Sequence, residues 1–76
     1  MASTYTVGEL AAVVTFGMER SMRKLLVDAG AQIDEYKVDP SERVPREVVI
    51  DLIALRPDRV GRVLAAFLRR ADTVND

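Results

Sequence analysis

Residues 8–26 read GELAAVVTFGMERSMRKLL, two short apolar-periodic runs interrupted at Thr15, Phe16 and Gly17. A β-branched residue, an aromatic and a glycine continue a helix poorly. The segment is therefore expected to fold as two helices joined by a tight turn. Thr6, with Glu9 three residues on, forms a capping box in which each partner satisfies an orphan N–H of the other. A first helix is expected over about Val7 to Val14, burying Leu10, Ala11 and Val14. A second runs from about Met18 to Ala29, with Met18, Met22, Leu25, Leu26 and Ala29 on one stripe. Gly30 supplies the left-handed residue that commonly ends a helix. Gly17 is expected at positive φ, with Phe16 buried beside it. The outward side of the second helix presents Arg20, Ser21, Arg23, Lys24 and Asp28.

Beyond Gly30 the pattern changes. "AQIDEYKV" carries strand-compatible residues between breakers, and "DPSE" is a turn opened by Asp39 before Pro40. With Arg43 and Val44 as a short return, residues 31–44 are expected to form a β-hairpin. Pro45 suits the first position of a third helix, where its missing N–H is harmless. Val48, Val49, Leu52, Ile53 and Leu55 make that helix's core stripe, while Ile50 and Ala54 point away. Arg56 is disfavoured from helical geometry by Pro57. Pro57 then starts a fourth helix, to about Ala71, with Val60, Val63, Leu64, Phe67, Leu68 and Ala71 at helical spacing. The tail "DTVND" is expected to fray.

A chain of 76 residues makes one domain near the lower limit for a self-sufficient core. The absence of Cys and His excludes disulfides, thiol chemistry and the usual zinc sites. Acids are scattered, so no metal site is expected, and no cofactor is implied. Asp34 and Glu35, neighbours on an expected strand, would point to opposite faces, which argues against a paired-carboxylate site. No nucleophile–base pair or Gly-rich phosphate loop is present, so an enzyme is not expected. No apolar run reaches a membrane span and no signal peptide is visible, so a cytoplasmic location is expected. The net charge is −1, but its distribution is uneven. Residues 1–19 hold no Lys or Arg, whereas residues 56–70 hold five arginines against Asp58 alone.

The order helix–turn–helix–hairpin–helix–helix outlines a mainly α domain with a small β-hairpin, a winged helix-turn-helix plus a C-terminal helix. "YTVGELAAVV", "SMRKLLVDAG" and "YKVDPSERVPREVVIDLI" together resemble the MerR-like and phage excisionase-like small winged helix-turn-helix proteins. The resemblance covers roughly residues 4–55, leaving residues 57–71 as an added helix. It implies a double-stranded DNA-binding protein, acting as a small transcriptional regulator or as an architectural factor of phage recombination. The chain departs from the family pattern in two places. Its turn is one residue longer and carries an acid, and its hairpin sets Asp34, Glu35, Asp39 and Glu42 against Lys37 and Arg43.

The expected DNA-contacting residues are Arg20, Ser21, Arg23 and Lys24 on the second helix. Lys37 and Arg43 of the hairpin and Arg46 at the start of the third helix complete the set. Arginine suits guanine edges, and all the cations suit phosphates. The same face also reads as an ordinary solvated one. So few contacts imply a homodimer or cooperative neighbours on DNA. Ile50, Leu64, Phe67 and Leu68 are either core or a self-association interface. Arg59, Arg62, Arg69 and Arg70 line the wet side of the fourth helix, where they could track a DNA backbone or meet an acidic partner. The alternative function, favoured by the acidic hairpin, is a protein-binding module that keeps the winged fold.

Overall fold

The computed structural model describes residues 2–75. The elements are β1 (Thr4–Thr6), α1 (Val7–Val14), α2 (Glu19–Asp28), β2 (Arg43–Pro45), α3 (Arg46–Leu55) and α4 (Arg59–Asn75). The fold is mainly helical, with one small two-stranded antiparallel sheet.

Helix α1 starts where the capping box requires. Glu9 N donates to Thr6 Oγ1 at 3.1 Å, and Thr6 N donates to Glu9 Oε1 at 3.0 Å. It ends at Thr15, where the Ala11 carbonyl accepts from the amides of both Thr15 and Gly17 at 2.9 Å. Gly17 stands at φ +83, as expected. Phe16 does not occupy the buried slot beside it. Phe16 is itself left-handed, at φ 55, and is 78% exposed. Two successive left-handed residues swing its ring outward, and Thr15 fills the interior position instead. The Thr15 hydroxyl is satisfied there by the Met18 carbonyl at 2.7 Å. Met18, expected on the core stripe, is the exposed residue preceding α2.

The expected hairpin over residues 31–44 does not form. Only Arg43–Pro45 is a strand, and it pairs with β1 in the register Thr4↔Pro45, Tyr5↔Val44, Thr6↔Arg43. The whole of α1, α2 and the following loop lies between the two strands. Thr4, Tyr5 and Thr6 are β-branched and aromatic residues that suit a pleated surface. Tyr5 and Val44, directly opposite, are both buried. Residues 31–42 form a loop built on turns in which Asp carboxylates cap nearby amides. Tyr36 N donates to Asp34 Oδ1, and Ser41 N and Oγ donate to Asp39 Oδ1.

Helices α1 and α3 each pack on both α2 and α4, so α2 and α4 occupy opposite corners of a ring. Leu10 and Val14 meet Met22 and Leu26, Val49 and Leu52, and Leu64 and Leu68 in the common core. Leu55, expected in that core, is exposed at the end of α3. Helix α4 begins two residues after Pro57, with Asp58 Oδ1 accepting from Val60 N at 3.1 Å. The expected fraying of the tail is not seen as far as Asn75, because α4 continues to that residue; Asp76 lies outside the described residues.

Candidate nucleic-acid interface

The side of α2 turned away from the core carries Arg20, Ser21 and Lys24, all exposed. At about 100° per residue these three fall within an arc of roughly 100° on the first two turns of the helix. Neither cation has a carboxylate within ion-pair distance among the described residues. The Arg20 guanidinium lies over the Tyr36 ring at 4.9 Å from its centroid. That stacking fixes the side chain against the loop and leaves its N–H edge open to a ligand. Lys37, next to Tyr36, is half exposed and loosely paired with Asp39 at 3.9 Å.

Arg23 corrects the sequence expectation. It is fully buried, although it was expected on the outward face. Its Nε donates to Glu19 Oε1 at 3.0 Å, Nη1 to the Asp34 carbonyl at 2.9 Å, and Nη2 to the Asp39 carbonyl at 2.8 Å. Glu42 Oε1 stands 2.7 Å from Nη1 as a short ion pair. Glu19 Oε1 also accepts from Asp39 N at 2.7 Å. Burial works against the charge here, but the hydrogen bonds and attraction of Glu42 and Glu19 outweigh it, so the guanidinium is held above its ordinary range. Arg23 thus turns its guanidinium to the interior side of loop 31–42, buried away from any base edge.

Arg43 and Arg46 stand apart from the α2 face. Arg46 makes a bidentate pair with Asp72 of α4, at 3.0 and 2.9 Å, and donates to Tyr5 Oη at 2.6 Å. The Asp72 hydrogen bond raises its pKa. Arg43 is exposed and donates to Thr4 Oγ1 at 3.2 Å. With Glu9, Phe67 and Arg70 it lines a cleft of about 500 Å³ on the α4 side. The structure therefore brings Arg20, Ser21 and Lys24 together, with Lys37 nearby, and separates Arg43 and Arg46 from them.

The four candidate interface residues also divide. Leu64 and Leu68 are buried within the chain's own core, which removes them from any interface. Phe67 is half-buried, edge-on to Tyr5 at 5.5 Å between centroids. Ile50 is exposed. Among the described residues no group of three or more Asp and Glu is arranged to hold a metal ion. Among the same residues no helix is long and apolar enough to cross a membrane.

Sequence reasoning missed two features of this surface. Phe16 projects beneath Arg59, whose guanidinium lies 4.8 Å from the ring centroid and whose Nη1 donates to the Val14 carbonyl at 2.8 Å. No local pattern announces this, since the two residues lie far apart in the chain. The buried role of Arg23 was equally hidden, since its i,i+4 spacing from Glu19 is that of an ordinary surface pair. No protein-family model, no curated protein and no solved structure matches the chain.

Proposed function

We propose that this chain binds double-stranded DNA, with α2 lying in the major groove. The resemblance to MerR-like and excisionase-like proteins makes it a small transcriptional regulator or an architectural factor of phage recombination. One observation carries the proposal: Arg20, Ser21 and Lys24 stand exposed, the two cations without an ion-pair partner among the described residues, on the first two turns of a helix whose opposite side is locked into the core. The N-terminal part of such a helix is what reaches base edges in helix-turn-helix proteins. Arg20 offers a forked donor edge for guanine, and Lys24 offers a point charge for phosphate. Loop 31–42 takes the place of a wing, and Arg23 fixes it from beneath.

Four exposed apolar side chains, Phe16, Met18, Tyr36 and Val38, favour a second reading as a protein-binding module. Fluorescence anisotropy with a labelled duplex at low and moderate salt separates the two. DNA binding should weaken as salt rises, and Arg20→Ala with Lys24→Ala should cost about tenfold or more, since one base-reading contact is worth about 1–3 kcal/mol. A double variant that binds as wild type removes α2 from the interface.

A further inference from the structure

Helix α4 carries a second charged surface that the α2 face does not use. Arg59, Arg62, Arg69 and Arg70 are all exposed. At about 100° per residue they share an arc of roughly 100°, opposite Leu64 and Leu68, and from first to last they span about 17 Å of helix. Among the described residues the acids on and just before α4 are already engaged. Asp58 is bonded to Arg56 at 2.9 Å, and Asp72 is bonded to Arg46. No carboxylate among the described residues lies within ion-pair distance of the four. Arg59 is anchored over Phe16 and on the Val14 carbonyl. Arg70 and Arg43 line one cleft, so the positive surface reaches β2 at Arg43; the rest of the cleft is Glu9 and mainly apolar side chains such as Val13 and Phe67.

We infer that this face of α4 is a phosphate-backbone site, distinct from α2, through which one molecule holds a second stretch of DNA. The chemistry favours phosphate over an acidic protein. Along α4 the arginines are separated by Ala66 and Val63, both half-buried, and the exposed Phe16 at the Arg59 end lies under that guanidinium, so charge dominates the face. Guanidinium groups match phosphate oxygens with two parallel N–H bonds, and backbone contact requires no base-reading side chain. Helices α2 and α4 each pack on α1 and α3, which puts the two basic faces on separate elements of the fold. A molecule that engages duplex through both faces at once bridges two segments or holds one bent around it. Naming the polyanion as DNA rests on the proposed function; the existence of the site does not.

The test compares four proteins on a labelled generic duplex: wild type, Arg20→Ala/Lys24→Ala, Arg62→Ala/Arg69→Ala/Arg70→Ala, and the combined variant. All the altered side chains are exposed and form no ion pair among the described residues, and circular dichroism checks that each protein is folded. Each lost phosphate contact lowers the slope of log K against log salt by about 0.9, so the α4 triple variant should lose about 2.7. Between about 50 and about 200 mM salt, wild type should then lose roughly 40-fold more affinity than the triple variant. Wild type should also bring a donor-labelled and an acceptor-labelled duplex together in an energy-transfer assay, and the triple variant should not. An unchanged slope with bridging retained overturns the inference and leaves the proposed function standing. A wild-type-like α2 variant beside a defective α4 variant supports the α4 site and sinks the α2 assignment. Capture of polyglutamate rather than duplex, lost in the triple variant, overturns phosphate as the ligand. Binding to neither polymer overturns the site altogether.

Discussion

Replacing Arg23 with alanine should destabilise the fold severely, because the guanidinium compensates two carboxylates and two backbone carbonyls at once. Glu19 and Glu42 would remain, 18% and 25% exposed, with no cation between them. The carbonyls of Asp34 and Asp39 would lose their donors. At about 3 Å and an effective dielectric of about 20, each ion pair contributes roughly 5 kcal/mol of attraction, largely offset by desolvating the charges. Removing one partner of such a buried pair costs about 3–5 kcal/mol. The cover over Arg23 is a single loop that can admit water, so the lower end, about 3 kcal/mol, is expected. A domain of this size has roughly 4–11 kcal/mol of stability in all. At about 4–8 °C per kcal/mol, Tm should fall by roughly 12 °C or more. Urea and thermal denaturation followed by circular dichroism measure both quantities. Arg23→Met combined with Glu19→Gln and Glu42→Gln removes the charges together and should be more stable than Arg23→Ala. An Arg23→Ala protein within about 1 kcal/mol of wild type would refute the buried network.

Gly17→Val has open space around its Cβ but must sit at φ +83, so it should cost about 1–2 kcal/mol, read as a lowered urea midpoint. An unchanged midpoint would mean that the turn is not left-handed. Phe67→Ala should cost about 2–3 kcal/mol, less than for a fully buried phenylalanine, and should leave the sedimentation behaviour of wild type unaltered. A dimer lost on that substitution would restore the interface reading of Phe67. Asp39 is held below its ordinary pKa by the Ser41 hydroxyl and amide, and Asp58 by Arg56. Each carboxylate therefore adds stability that is fully present above pH 3.8 and lost as pH falls through its depressed value. Asp39→Asn should flatten the acid limb of Tm against pH; an identical acid limb would contradict the Asp39 bonds.

Signals confined to a few neighbouring residues were legible in the sequence. The Thr6–Glu9 box, the positive φ of Gly17 and the breaks at Pro45 and Pro57 delimited four helices close to where they stand. What was lost depended on partners distant in the chain. Thr4-Tyr5-Thr6 has strand chemistry, but with its partner as far away as Arg43–Pro45, Thr6 read only as a helix cap. Residues 31–42 read as a hairpin because nothing local shows that Arg23 holds the Asp34 and Asp39 carbonyls. On a helical wheel Arg23 borders the buried arc of Met22 and Leu26, and only a loop folded over it decides that it is inside. The outward set of Arg20, Ser21 and Lys24 was legible because it depends on helical spacing alone.

Amide chemical-shift mapping during titration with a short duplex tests most directly whether α2 is the DNA-contacting element. The largest shifts should fall on Arg20, Ser21, Lys24 and the adjoining Tyr36–Lys37 segment, with a second set on Arg62, Arg69 and Arg70, all weakening as salt rises. Shifts absent from α2 at low salt, or confined to Phe16, Met18 and Val38, would contradict that role for α2.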